Sequence, residues 1–152
     1  MKKYISLLIL IALASCQKND LYKEYETISN EEWCINNPAI FQVDIPQTGD
    51  YFVNICLRHT TDYAMANLWC FVNIKDSTRY VFRDTLNMKL AEADGRWLGT
   101  GNSIKSIEYP VNKKIITLQQ GKYTFEVKQG MRLQCLEGIK NIGISVNPVK
   151  LR

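Results

Sequence analysis

Alternation of apolar and polar residues with a period of two is the feature that most limits what this chain can fold into. Successive side chains of a strand point to opposite faces, so this alternation lets a sheet bury one face and expose the other. Eight segments show the pattern: residues 22–28, 39–45, 51–58, 68–74, 78–83, 114–118, 123–128 and 139–146. They are rich in Val, Ile, Phe, Tyr and Trp, which favour strands. The sequence therefore predicts about eight short strands.

The connections between these segments favour antiparallel pairing. Residues 46–49, 75–77 and 119–122 carry Pro, Gly, Asp, Ser and Gln in turn-forming combinations. Residues 85–93 have leucines and a methionine at mixed spacing, so a helical turn competes there with another strand, which we favour. We expect an all-β fold, an antiparallel β-sandwich of the jelly-roll or immunoglobulin-like type.

The N-terminus has the pattern of a secretory signal peptide. Lys2 and Lys3 precede an apolar run over residues 5–13, about half of the roughly 20 residues that span a bilayer. Residues 13–16 read Leu-Ala-Ser-Cys, which resembles the bacterial lipobox, in which the cysteine is lipidated and the chain is cut before it. We therefore predict a signal peptide over 1–15, a lipidated Cys16 with a polar tether over 16–21, and one β-sandwich domain over 22–152.

Composition and charge exclude several classes of protein. Removing fifteen of 152 residues leaves 137, enough for one domain with a core. The chain is 46% hydrophobic and 22% charged, which is typical of a globular protein and not of a disordered one. The formal charge of +4 falls to about +2 without Lys2 and Lys3, and the basic residues are interleaved with acids. We expect no nucleic-acid partner.

Four cysteines follow Cys16, at positions 34, 56, 70 and 135. An even number in an exported chain permits disulfides without requiring them. Cys70 and Cys135 alternate with apolar residues and are expected to be small buried hydrophobes. We expect a domain that folds without disulfides, and whether Cys34, Cys56, Cys70 and Cys135 form any is left open. With no C-x-x-C motif and one histidine, the chain has no metal-ligand spacing, and we expect no metal or cofactor.

A catalytic site is not indicated. His59, the only histidine, follows Arg58 and precedes two threonines at a strand end, which is the setting of a solvated loop histidine. The carboxylates lie mostly at turns or among lysines, so no acid–base pair stands out. We expect this protein not to be an enzyme.

Two connections, residues 59–67 and about 84–106, are longer than a hairpin needs. Long loops often carry function. The second contains a glycine-rich block that lacks the strand–helix context of a phosphate-binding loop. We expect Asp94, Gly95, Gly99 and Gly101 to form a structural loop that fixes Trp97 against the sandwich and leaves Arg96 pointing outward. The candidate interaction residues are Arg96 and Trp97, with Arg58, Asp62 and Tyr63 at the first long connection.

Short sequence blocks follow one another in a distinctive order along about residues 22–146. The most specific is the Asp94 to Gly101 block. The other blocks are Trp33 before Phe41-x-Val43-x-Ile45, Leu57-Arg58, Asp62-Tyr63, Asn67-Leu68, Asp84-Thr85-Leu86, Leu90-Ala91, Gly121-x-Tyr123-x-Phe125, Gln129-x-Met131-Arg132 and Leu136-x-Gly138-Ile139-x-x-Ile142-Gly143. In this order the blocks resemble the gliding-motility lipoprotein GldH family of Bacteroidetes. Gly130 departs from the family pattern, and we expect it to loosen its strand junction.

The resemblance implies a lipoprotein associated with the gliding machinery, a system linked to type IX secretion, and it implies no catalytic residues. We expect an accessory or scaffold protein at the outer membrane, slightly favoured on the periplasmic face, whose partners are the membrane and other envelope proteins. The alternative is a surface glycan-binding sandwich, because three tryptophans and eight tyrosines can supply aromatic platforms if they are exposed.

Overall fold

The structure, a computed structural model, describes residues 20–111 and 115–150 and folds them into eleven strands. The strands are β1 Tyr22–Thr27, β2 Glu32–Cys34, β3 Ala39–Ile45, β4 Gly49–Thr60, β5 Asn67–Lys75, β6 Tyr80–Lys89, β7 Ile104–Pro110, β8 Ile116–Leu118, β9 Gly121–Gln129, β10 Cys135–Glu137 and β11 Ile139–Pro148. A 3-10 turn lies at Ser29–Glu31, between β1 and β2. In the described ranges, no helix has the length and apolarity to cross a membrane. The predicted signal peptide and Cys16 lie outside the described residues.

The strands form two main sheets and a small one, and every pairing is antiparallel. The first sheet has the order β1-β11-β4-β7, and β8 pairs with the start of β4. The second sheet has the order β3-β9-β5-β6, and β2 pairs with β10 separately. The predicted all-β, antiparallel fold is therefore confirmed.

The alternating sequence places one face of each main sheet in a shared core. Along β3, buried and exposed residues alternate at every position, and β9 buries every second residue. Phe125 and Val72 from the second sheet belong to the same buried cluster as Ile55 and Ile144 from the first. Burying each such side chain contributes about 1.5–3 kcal/mol, so the apolar faces hold the two sheets together.

Eight strands were expected, and three more are present. β2 and β10 have three residues each, too few for alternation to be recognised. β7 was not predicted, because its side chains are all half-buried or exposed and therefore show no clear alternation of apolar and polar residues. This burial suits a strand at the edge of its sheet. The strand predicted over residues 85–93 is present only as far as Lys89, where β6 ends.

The structure contains a disulfide between Cys34 and Cys135, which face each other across β2 and β10. The expectation that Cys135 is a buried apolar thiol is therefore wrong, because a two-stranded pairing brings it opposite Cys34. Cys70 is free and fully buried, as expected, and Cys56 is also free and buried. Burial raises the pKa of the Cys56 thiol to about 11, which keeps it unreactive.

The Cys34–Cys135 bond changes what we expect of the reduced protein. It joins residues 101 positions apart, and closing so long a loop removes entropy from the unfolded chain that is typically worth about 2–4 kcal/mol. Replacing both cysteines with serine should therefore lower the melting temperature by about 10 °C while leaving a folded β-sheet circular dichroism spectrum. Cys70→Ser serves as the control for the loss of a thiol without a disulfide. Melts of wild-type protein that coincide with and without reductant would contradict this prediction.

Candidate functional site

The glycine-rich block forms two tight turns between β6 and β7. Gly95, Gly99 and Gly101 all have positive φ angles, of 84°, 81° and 105°. At Gly99 a Cβ atom would lie 2.4 Å from the carbonyl oxygen of Ser106, so a larger residue does not fit there. The side chain of Asp94 accepts a hydrogen bond from the Arg96 backbone N–H at 3.0 Å and closes the first turn. The block is therefore held by its own backbone and turn contacts.

These turns place Trp97 and Arg96 in different environments. Trp97 is half-buried and packs on the core, and its ring lies 4.8 Å from the ring of His59. Arg96 is exposed. The loop thus exposes Arg96 to solvent and packs Trp97 against the sandwich.

His59 is a core residue, so the expectation of a solvated loop histidine is wrong. It lies within β4 with no exposed surface, between the rings of Trp97 and Tyr63. Its Nδ1–H donates to the carbonyl of Thr60 at 2.9 Å, and its Nε2 is buried with no partner among the described residues. Burial lowers the pKa of His59, against the Thr60 hydrogen bond, and Lys105 lowers it further. The ring is held neutral and serves as a spacer beneath the loop.

The other three sequence candidates do not share one surface. Tyr63 is only 3% exposed, and its hydroxyl donates to the carbonyl of Asn67 at 2.9 Å, so its ring is not available to a partner. The guanidinium of Arg58 lies over the ring of Tyr25, 4.0 Å from its centre. Asp62 is exposed. Strand β4 extends through Thr60, so His59 and Thr60 belong to a strand, and the connection to β5 is residues 61–66.

An exposed apolar area lies elsewhere, on the outer face of the second sheet. Trp69 and Phe71, two positions apart on β5, are 40% and 46% exposed. Trp69 borders a hollow of about 490 Å³, here called the Trp69 hollow. Its lining is Met65, Asn67, Trp69, Gly130, Met131, Arg132 and Leu133. Leu133 is itself 48% exposed. Contiguous exposed apolar surface of this kind marks interaction sites in soluble proteins.

A buried glutamine shapes one wall of the Trp69 hollow. The side chain of Gln129 donates to the carbonyl of Leu133 at 2.8 Å and accepts from the Met131 N–H at 2.8 Å. The Cys34–Cys135 disulfide follows immediately in the chain and ties the end of this turn to β2. The turn at 130–134 is therefore fixed from both sides.

Gly130 makes room for the neighbouring aromatic ring. A Cβ atom on Gly130 would lie 3.1 Å from Cε2 of Phe71, which is tighter than ordinary packing allows. The Gly130 N–H donates to the Trp69 carbonyl at 2.7 Å. Strand β9 ends at Gln129, but this hydrogen bond still ties Gly130 to β5 at the strand junction that was expected to be loosened.

The exposure of Trp69 and Phe71 could have been predicted from the sequence, although attention to loops and charged residues did not predict it. Alternation places Leu68, Cys70 and Val72 on the buried face of β5. The same period of two must send Trp69 and Phe71 to the outer face, where polar residues are the rule. Large apolar residues on a solvent face are therefore the feature to look for.

Three residues with acidic or sulfur-bearing side chains lie close enough together to resemble a metal site. Potential ligand atoms of Glu32, Cys34 and Cys135 lie within 4.8 Å of one another. Two of them are the sulfurs of the disulfide, which are not thiolates and do not coordinate a metal in this form.

Trp97 and Arg96 should respond differently to truncation. Trp97→Ala removes a half-buried ring and its contact with His59, so we expect a loss of about 2–3 kcal/mol and a melting temperature about 5–10 °C lower. Arg96→Ala should leave the melting temperature within about 1 °C, since the side chain is exposed and the hydrogen bonds of this residue to Asp94 and Glu92 are made by its backbone, which alanine keeps. Thermal denaturation of both variants tests this, and equal destabilisation by the two would show that Arg96 is a structural brace.

Stability should also depend on pH through His59. Its pKa is lowered in the folded state from 6.5, so the unfolded chain binds the proton first as pH falls. Folded-state stability should therefore decline from about pH 6.5 downwards, above the range near pH 4 in which most carboxylates titrate. Urea unfolding between pH 5 and pH 7.5 measures this slope. His59→Phe should flatten it, and an unchanged slope in that variant would assign the effect to another group.

Comparison with known proteins identifies relatives along the whole described domain. The model of the GldH lipoprotein family matches residues 20–146. The gliding motility lipoprotein GldH homolog of Christiangramia forsetii is 31% identical over 152 residues, covering 94% of this chain and 93% of its own. The gliding motility lipoprotein GldH of Flavobacterium johnsoniae is 29% identical over 155 residues, covering 93% of each chain.

Solved structures resemble the chain only distantly. A ruminal GH26 endo-β-1,4-mannanase aligns with a TM-score of 0.48 and 9% identity, covering 79% of this chain and 19% of the enzyme. The Eiger TNF from S. frugiperda aligns with a TM-score of 0.43 and 10% identity, covering 90% and 89%. The functional assignment therefore rests on the sequence relatives, and on their similarity along nearly its full length this chain belongs to the GldH lipoprotein family.

Proposed function

We propose that this protein is a lipid-anchored, non-catalytic component of the envelope machinery for gliding motility, linked to type IX secretion, and that it acts through protein–protein contacts. The names of its relatives support the motility assignment. The residues before Cys16 support lipidation of that cysteine. We place the anchor in the outer membrane and favour its periplasmic face, because Lys18-Asn19-Asp20 only partly resembles a lysine-plus-acid surface-export signal.

The observation that carries the proposal is the exposed apolar surface around the Trp69 hollow. Trp69 and Phe71 belong to a central strand, paired on one side with β6 and on the other with β9. Tryptophan is among the residues that dominate binding energy at interfaces, and methionine adapts its shape to a partner. Both types meet here, as Trp69 and Met131. A rigid sheet that presents such groups is suited to docking a protein.

The composition of the hollow favours a protein over a glycan. Three of its seven lining residues, Met65, Met131 and Leu133, contribute thioether and aliphatic groups, and Asn67 and Arg132 are its only long polar side chains, whereas the several hydroxyls of a sugar require several hydrogen-bonding partners. The nearest amides are partly engaged already, since Asn67 donates to Asn87 at 2.8 Å. Two exposed aromatics on one face suit a pyranose ring, but the surrounding groups do not complete a sugar site.

Site-specific photocross-linking in native membranes tests the proposal. A photoreactive benzoylphenylalanine at Phe71 of the full lipoprotein should give a discrete cross-linked product with an envelope protein, because the Phe71 ring lies next to Gly130, which lines the hollow. The same group at Tyr80, an exposed aromatic at the start of β6, is the matched control and should give none. Trp69→Ala should reduce the Phe71 product by about tenfold, as expected for the loss of an interface anchor.

Two further variants separate the parts of the proposal. Cys16→Ala should move the protein to the soluble fraction and abolish the product, because the lipid holds it at the membrane. A photoreactive group at Arg96 should give less product than the one at Phe71. Cross-linking from Arg96 alone would overturn the choice of surface, and a Phe71 product that survives Trp69→Ala would show that the hollow is not the contact.

A further inference from the structure

We infer that the Trp69 hollow binds an extended protein segment that combines apolar side chains with a carboxylate placed at Arg132. This inference rests on the proposed docking function and adds the chemistry of the partner. It draws on three properties of the hollow: its apolar lining, its unpaired positive charge and the rigidity of its walls.

The charge of the hollow has one sign. None of its seven lining residues is acidic, and Arg132 is its only charged member. Arg132 is exposed and makes no hydrogen bond or ion pair with any residue in the described ranges. A guanidinium left open beside an apolar hollow matches a carboxylate, which it binds through two parallel hydrogen bonds.

The surroundings determine where that carboxylate sits. A smaller hollow of about 190 Å³ shares Met65 and Leu133 with the first and has Asp62 and Glu137 in its lining. Two acids there repel a carboxylate, so the acidic end of the segment is directed away from them and towards Arg132. The bound segment therefore has a preferred direction across the sheet.

The wall that carries Arg132 is ordered before binding. Gln129 fixes the turn on both sides of Arg132, through the Met131 N–H and the Leu133 carbonyl. The disulfide at Cys135 holds the end of the same turn. A preformed wall reduces the entropy lost on binding, which favours recognition of short segments.

Fluorescence polarisation with two labelled peptides tests the inference on the full lipoprotein in nanodiscs. One peptide alternates Val with Glu, and the other alternates Val with Lys. The Glu peptide should bind at least about tenfold more tightly, the factor expected for a charge-assisted hydrogen-bond pair, and its affinity should fall with added salt. Arg132→Glu should reverse the preference, and Trp69→Ala should weaken both peptides.

Matched controls guard against effects on folding. Arg96→Glu makes the same charge change at an exposed site outside the hollow, and Ile40→Ala removes an exposed apolar side chain from β3 of the same sheet. Neither should alter binding. Leu133→Ser changes the turn without touching a strand and should weaken the Glu peptide even if Trp69→Ala fails to fold.

The opposing results are distinct. Equal binding of the two peptides, Trp69-dependent binding of a neutral hexaose, or a Trp69-dependent dimer in sedimentation would each overturn the inference. A Phe71 cross-link in membranes that is lost in Trp69→Ala but unchanged in Arg132→Glu would overturn the carboxylate at Arg132 and leave the docking function standing. Absence of that cross-link in the wild-type protein would overturn the docking function itself.

Discussion

Burial of apolar side chains between the two main sheets is the interaction on which the rest of the structure depends. Strand β11 lies between β1 and β4 and is buried along most of its length. Its pairing with β4 places Ile144 beside Ile55, and both side chains face the core shared with the second sheet. A one-residue slip in this register would turn the buried set of side chains to the outside.

The same constraint makes the outer face of β5 informative. Once Leu68, Cys70 and Val72 are committed to the core, the side chains between them are free to be polar at no cost to the fold. Trp69 and Phe71 instead leave apolar surface exposed, which lowers solubility without stabilising the core. The proposed partner, by covering this surface, would supply a physical reason for its composition, and the exposed guanidinium of Arg132 is the basis for proposing that this partner carries a carboxylate.

Two loops are fixed to the sandwich by different devices. The 94–101 loop relies on glycine conformations and on the packing of Trp97 against a neutral, buried His59. The 130–134 turn relies on the hydrogen bonds of Gln129 and on the covalent link from Cys135. The packing of Trp97 on His59 should respond to pH, because His59 titrates, and the 130–134 turn should respond to reductant, because the Cys34–Cys135 disulfide can be reduced. The two surfaces should therefore loosen under different conditions, although both lie on one domain.

The sequence by itself determined the all-β class, the antiparallel connections and most strands, because a period of two is a local property that every strand displays on its own. It also carried the family blocks, since these are read in order along the chain. The tertiary structure alone decided the pairing of Cys34 with Cys135, the burial of His59 and the grouping of Trp69 with Arg132. These features join residues far apart in sequence, and their proximity depends on which strands lie side by side. Alternation states which way a side chain points, but only the packed sheets determine what it meets there.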